Sequence, residues 1–406
     1  MTDILSPATP EQVRDAVAWA VDSRTPLRIQ GHGSRDGLGR PVTAPATLDL
    51  SRLSGILDYQ PAELMLTAHA GTPLAEITAA LAERGQHLAF EPPDLAPLYG
   101  GAAGAGTVGG LVACNAAGPR RIAAGAVRDH FLGCQAVGGR AELFKAGGKV
   151  VKNVTGFDLC KLLAGSFGTL AVLTEVTLKV LPAPEQAATV AVRGLDDAAA
   201  DRCLAAALQS SHEVVGAAHV PAALSAAVVA GAGEAVTLVR VEGPGPSVEW
   251  RAAALCRELG TFGPAATLAP EVAAAAWAAV RDGAAFREEA AEALLWRISV
   301  APLAGPQVVA AVQAHGAVRA VYDWGGGLVW LTLSGPAPAE QAQVLRAAVA
   351  AGGGGHATLL RAPAEVRATV PVFEPQPAPL AALTRRMKET FDPAGVLNPG
   401  RMAEGA

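Results

Sequence analysis

The chain has 406 residues, 51% of them hydrophobic and 17% charged, with 32 Lys plus Arg against 37 Asp plus Glu for a formal charge of −5. That composition excludes a disordered chain, and the charge excludes a global pull toward nucleic acid or anionic lipid. At roughly 100–200 residues per domain the length allows two or three domains, each able to bury its own core without metals or disulfides.

In chain order, Thr9, Pro10 and Gln12 predict a helix start, with Thr9 as cap and Gln12 closing a capping box, and Val13, Ala16, Val17 and Ala20 recur at helical spacing. A strand over 27–30 runs into Gly31, His32, Gly33 and Ser34; strands near 46–50 and 64–69 follow, then a helix opened by Thr72 and Pro73 and ended by Gly85. Residues 100–118, GGAAGAGTVGGLVACNAAG, are too glycine-rich for a regular element at their start and too apolar for a solvent linker, so backbone must approach something closely there. Strands at 131–137, 141–145 and 170–181, a short helix near 157–163 and a turn at 165–168 complete a first segment, closed by Pro182 and Pro184. From 186 to 384 alanine-rich helices alternate with strands at 236–241, 295–300 and 328–333, the pattern of a second α/β domain, and MKETFDPAGVLNPGRM forms a terminal arm with a docking place. No internal repeat at a solenoid period is visible.

Cys114, Cys134, Cys160, Cys203 and Cys256 are odd in number, widely separated in sequence and without a CxxC, which reads as reduced thiols in a cytosolic chain and excludes an iron–sulfur cluster. The start, MTDILSPATPEQ, lacks the basic and apolar runs of an export signal, and residues 214–236 are too interrupted for a membrane span.

Glycine is the excess residue: 45 of 406 is about 11%, where roughly 7% is usual. GAGTVGG at 104–110 satisfies G-x-G-x-x-G, but the preceding prolines and glycines are turn chemistry, and Asp129 lies in a run that should start a strand, so the dinucleotide-fold reading is rejected. The turn at 31–34 is more informative, since a strand followed by Gly-x-Gly-Ser turns its amides outward into an anion-binding nest. By itself such a turn serves a bend as readily as a ligand.

In order along the chain stand GHGS, AHAGTPLAEI, GTVGGLVACNAAG, RDHFLG, the run from GKVVKNVTGFDL to TLKVLP, and FDPAGVLNPGRM. Together they resemble the FAD-binding domain of the vanillyl-alcohol oxidase and p-cresol methylhydroxylase (PCMH) superfamily. GPRR at 118–121, AVRDHFLG at 126–133 and KVVKNVTGFDL at 149–159 are most similar to the FAD-binding subunits of glycolate oxidases. The resemblance covers about 5–185 and 385–402. It implies an α+β fold: a two-part PCMH-type FAD-binding domain over 1–183, a second α/β cap domain over 184–384, and a C-terminal arm over 385–406 that returns to the FAD domain.

The resemblance further implies that Gly31, His32, Gly33, Ser34 and Arg35 hold the FAD pyrophosphate. Thr107, Gly110, Cys114 and Asn115 would line the second half of the cleft, and Val172 would approach the adenosine. Ser34 stands where some relatives carry a flavin-linking histidine, so the FAD is expected to be non-covalent.

The substrate site departs from the related pattern. Dehydrogenases of this group carry a GDGN turn with a histidine pair and a later Glu-His-Gly; here HGAVRAVYDWGGGLVWL at 315–331 and GGGGHATLLRA at 352–362 lack them, leaving His315 and His356 unpaired. No metal site is assembled and no catalytic base can be assigned. Trp277, Trp296, Trp324 and Trp330 read as packing residues, with the glycines after Trp324 giving it an alternative of facing the flavin. Lys145, Lys149 and Lys152 read as a solvated edge, and Cys114 as inert for want of a flanking charge.

The implied function is the FAD-binding subunit of a multi-subunit glycolate oxidase, oxidising a small 2-hydroxy acid beside a sister flavin subunit and an iron–sulfur subunit. Such a chain would be cytoplasmic and would reach the membrane only indirectly, through partners. A self-sufficient FAD-dependent 2-hydroxy-acid dehydrogenase and a non-catalytic assembly subunit are the competing readings.

Overall fold

The first helix, Pro10–Asp22, starts where the sequence places it: Thr9 accepts a bond from the Gln12 amide at 3.3 Å. The Gln12 side chain reaches one residue further back than a capping box requires, to the Ala8 N–H at 2.8 Å. The structure, a computed structural model, describes residues 3–148, 156–290 and 292–404. Lys149, Lys152 and most of the KVVKNVTGFDL motif therefore lie outside the described residues.

The chain divides into two units. The first takes Met1–Ala117, Gly125–Ala183 and Pro375–Ala406, the second Gly118–Ala124 and Pro184–Glu374. One border between the units lies at 183/184. The expected border at 384/385 falls inside a continuous helix, Ala378–Phe391, and the returning segment begins at Pro375.

In the first unit, Asp3–Leu5, Ala46–Asp49 and Leu27–Gln30 form a small parallel sheet in that order. Its core joins Val13 and Val17 of the first helix to Leu48, Val172, Val396 and Leu397. A second, antiparallel sheet has the order Ile56–Gln60, Met65–His69, Ala171–Lys179, Phe131–Gly138, Leu143–Gly147. It packs on the helices Leu74–Ala82 and Val108–Cys114 through Ile77, Leu81, Leu111 and Val176. Thr72 does not cap the helix it precedes. Pro73 holds that position, while the buried Thr72 hydroxyl donates to the His69 carbonyl at 2.6 Å and accepts from the Gly55 amide at 2.9 Å.

The second unit is one eight-stranded sheet, antiparallel at every pairing. Its helix and strand alternation is that of a split β-α-β module used twice. Gln186–Arg193, Asp197–Gln209, Gly216–Val220, Val236–Gly243, Gly245–Leu259 and Ala265–Thr267 make one β-α-β-β-α-β run. Leu295–Val300, Gly305–Gln313, Ala317–Asp323, Leu328–Ser334, Pro338–Ala351 and Gly355–Arg361 make the other. This two-fold structural repetition leaves no period in the sequence, because what recurs is the apolar face and not the residues.

The halves meet where His219 opposes Tyr322. There the Tyr322 hydroxyl donates to Asp197 at 2.5 Å, and His219 lies 3.5 Å from the other carboxylate oxygen. Burial works to raise the Asp197 pKa, but the nearby His219 and the bond from Tyr322 outweigh it and hold it below its ordinary value. A lowered carboxyl pKa stabilises the fold above the unfolded value of about 4 and loses that contribution as pH falls through the folded one. Thermal melts of Asp197→Asn should therefore lie below the parent near neutrality and converge with it in strong acid.

Candidate cofactor site

Three stretches of the first unit converge on one groove: the turn after the strand Leu27–Gln30, the helix Val108–Cys114, and the turn at 166–168 with the strand Ala171–Lys179. The groove has two contiguous chambers that share Gly31, Thr107, Gly110, Ala113, Phe167 and Asn398. One chamber is more apolar, with Leu50, Ala70, Val172 and Leu173; the other carries His32, Ser34, Arg35, Asp36, Cys114 and Arg401.

The glycines divide by role. A Cβ on Gly31 would stand 2.7 Å from Thr107 Oγ1, and one on Gly109 would stand 2.8 Å from both the Cβ and the carbonyl oxygen of Ala70. These two let protein segments close on each other. Gly110 is different: a Cβ there meets only Thr107 Oγ1, at 3.2 Å. Because Gly110 lines both chambers, it leaves space in the groove itself. Thr107 caps the helix by accepting from the Gly110 amide at 3.2 Å.

Arg35 supplies the charge. It is 9% exposed and donates from Nη2 to the Pro93 carbonyl at 3.0 Å, while Nε and Nη1 are buried with no hydrogen-bond partner among the described residues. Buried N–H donors of a cation are costly to leave unpaired, and two of this arginine's are open to an anion. Arg401 braces it from the C-terminal segment, donating to the Arg35 carbonyl at 3.1 Å. Both arginines pull the Cys114 thiol toward ionisation, yet burial dominates and its pKa is raised. The thiol is thus held neutral although flanking charge, not visible in the sequence, is present.

Of the residues singled out from the sequence, Gly31, His32, Gly33, Ser34, Arg35, Thr107, Gly110, Cys114 and Val172 line the groove. Asn115 does not. It sits in the left-handed region at φ 47° as the helix C-cap, and its side chain accepts from the Arg128 amide at 3.0 Å.

The residue that sequence reasoning missed is Asn398. Its Oδ1 accepts from the Ile29 amide and its Nδ2 donates to the Phe167 carbonyl, both at 2.8 Å, tying the first strand to the 166–168 turn. Its own amide donates to the Leu27 carbonyl at 3.0 Å. The NPG turn announced that this segment docks, but a docking partner hundreds of residues away leaves no local mark.

Among the described residues no three His, Cys, Asp or Glu side chains are grouped to hold a metal, and His315 and His356 are both exposed. Among the described residues no helix is long and apolar enough to cross a membrane. Cys134 and Cys160, distant in sequence, come near enough in the first unit to shift each other's ionisation, and the Cys160 thiol donates to the Ala146 carbonyl at 3.7 Å.

A family description of an FAD binding domain matches residues 3–147. Glycolate oxidase subunit GlcE of Escherichia coli K12 is 37% identical over 391 residues, covering 96% of this chain and 95% of that protein. D-2-hydroxyglutarate dehydrogenase of Xanthomonas citri is 36% identical over 184 residues, covering 45% of this chain and 37% of its own. In fold the chain is similar to p-cresol methylhydroxylase with substrate bound, at a TM-score of 0.71, 15% identity, and coverage of 99% of this chain and 88% of that one. 4-Ethylphenol oxidase from Gulosibacter chungangensis gives 0.72 at 15% identity, with 98% and 88% covered.

The groove satisfies the demands of FAD. A dinucleotide with a flat ring system needs close backbone, a buried cation for its phosphates and an apolar recess, and all three are present. The chain is an FAD-dependent oxidoreductase with a PCMH-type fold, and it belongs to the GlcE family.

Proposed function

We propose that this chain is the FAD-binding subunit of a multi-subunit glycolate oxidase, working beside a sister flavin subunit and passing electrons to an iron–sulfur partner as glycolate becomes glyoxylate. The observation that supports it most is the 37% identity to GlcE across nearly the whole of both chains, with the cofactor groove intact. Bound FAD supplies the two-electron acceptor; the protein supplies position and electrostatics.

In this reading Gly31, His32, Gly33 and Ser34 present backbone and hydroxyl donors to the pyrophosphate, and Arg35 meets its charge. Thr107 and Gly110 keep the floor open, Cys114 stays neutral beside the cofactor, and Val172 with Leu173 forms an apolar seat for the adenosine. Asn398 fixes the two loops that frame the cleft. Ser34 at the linking position leaves the FAD non-covalent. The five cysteines offer one adjacent pair, short of the four thiolates a cluster takes, so the cluster relay belongs to a partner. The protein is placed in the cytoplasm, at a membrane only through such partners.

The test is to purify the chain alone and with its two partners, record flavin absorbance, and assay glycolate and D-lactate with an artificial acceptor. Turnover by the complex and not by the chain alone is expected; turnover by the isolated chain would overturn partner dependence. Arg35→Met should weaken FAD about ten- to a hundredfold, since hydrogen bonds to a charged group contribute about 1.5–3 kcal/mol. Equilibrium titration of the apoprotein with FAD measures it.

A further inference from the structure

In the second unit two guanidinium groups stack on one indole. The Cζ atoms of Arg121 and Arg297 lie 4.8 and 4.9 Å from the Trp324 ring centroid. Trp324 is 7% exposed, donates from Nε1 to the Gly118 carbonyl at 3.0 Å, and has φ 53°. A bulky residue in the left-handed region is an outlier whose cost the surrounding structure must sustain, and such positions gather at functional sites.

Arg297 sits on the strand Leu295–Val300, directly opposite Trp330 of the neighbouring strand. Opposed residues of an antiparallel pair share a sheet face. Trp296 and Ile298, on the alternate positions, join the core under the helices through Val308 and Val309, so Arg297 and Trp330 point to the other face. Asp323, one step along the same pleat, shares it.

Three facts make this face a site. Arg297 forms no hydrogen bond or ion pair among the described residues; the nearby Asp323 already accepts from the Trp324 amide at 2.7 Å. Trp330 is 4% exposed, and its indole N–H is buried without an acceptor. Burial, with the charge of Arg121, lowers the Arg297 pKa to about 10, so the guanidinium stays charged at neutrality in a place that penalises the charge. Among the described residues, then, the Arg297 guanidinium is stacked on the ring with no carboxylate hydrogen-bonded to it.

We infer that Arg297, stacked with Arg121 on Trp324 and sharing a sheet face with Trp330, is a binding site for the carboxylate of a small acid. The planar guanidinium fork matches a carboxylate with two parallel N–H donors. That the acid is the oxidisable one rests on the proposed function; the anion site does not.

The test measures oxalate and glycolate binding to the purified full chain by calorimetry, without turnover, with inorganic phosphate as competitor. The parent should bind oxalate, Arg297→Met should lose at least tenfold in affinity, and Arg297→Lys, which keeps the charge without the fork, should fall between them. Because methionine removes a half-buried cation that has no hydrogen bond or ion pair among the described residues, the Arg297→Met melting temperature should equal or exceed the parent's. A drop instead would mark Arg297 as structural and overturn the site. So would equal oxalate affinity in parent and Arg297→Met, absence of oxalate binding by the parent, or phosphate binding tighter than oxalate. Loss of partner-subunit capture with oxalate affinity unchanged would assign the cation to protein docking and overturn it likewise. If oxalate binding depends on Arg297 while the complete complex leaves glycolate untouched, the site stands and the glycolate reading fails.

Discussion

Gly110→Val should give a folded but colourless protein. Valine is no poorer a helix former than glycine, and the only protein atom its Cβ meets is Thr107 Oγ1 at 3.2 Å, so the helix Val108–Cys114 should form and the melting temperature of the apoprotein should change little. The added methyl groups project into the space shared by both chambers. Overpacking of a fitted site costs about 1–3 kcal/mol, roughly a five- to a hundredfold loss of FAD affinity at about 1.4 kcal/mol per tenfold. The contrasting substitution is Gly109→Val. Its Cβ would strike Ala70 at 2.8 Å, so that variant should lose the fold and the flavin together. Circular dichroism beside flavin absorbance separates the two outcomes.

The second large effect lies far from the groove in sequence. Lys388 Nζ is buried and donates to Asp392 Oδ2 at 2.6 Å and to the carbonyls of Thr169 and Leu397 at 2.8 Å. Asp392 is fully buried as a side chain and also accepts from the Val396 and Leu397 amides at 3.1 and 2.8 Å. Burial draws the Lys388 pKa down while Asp392 draws it up, and the net value is lowered. Asp392→Ala strands that ammonium and two amides, and breaking one side of a buried pair costs about 3–5 kcal/mol. At about 2–4 °C per kcal/mol for a unit of this size, the melting temperature should fall by roughly 6–20 °C. FAD should leave with it, because the same segment carries Asn398 and Arg401 into the groove. Asp392→Asn, which keeps an acceptor for the amides, should lose less.

How much of this could be read from the sequence follows the range of each interaction. Local patterns placed the strands Leu27–Gln30 and Leu295–Val300 on the residues observed. They also placed the glycine turn at 31–34, because turn chemistry is written within four residues. Asn115 misled for a local reason: at a helix end, an asparagine in the left-handed conformation serves the backbone first. The flanking charge at Cys114 was invisible, since Arg35 and Arg401 approach it only in three dimensions. Asn398 and the Cys134–Cys160 contact were hidden in the same way. Glycine counts also concealed a division of labour: Gly31 and Gly109 are required by protein contacts, while Gly110 leaves space in the groove.

The most direct test of the groove as the seat of FAD is the flavin-to-chain ratio of the isolated full-length protein, saturated with FAD, desalted and measured by absorbance. A ratio near one for the parent, falling toward zero in Gly110→Val with its circular dichroism unchanged, is the expected result. A colourless but folded parent, or an undiminished ratio in Gly110→Val, would contradict it.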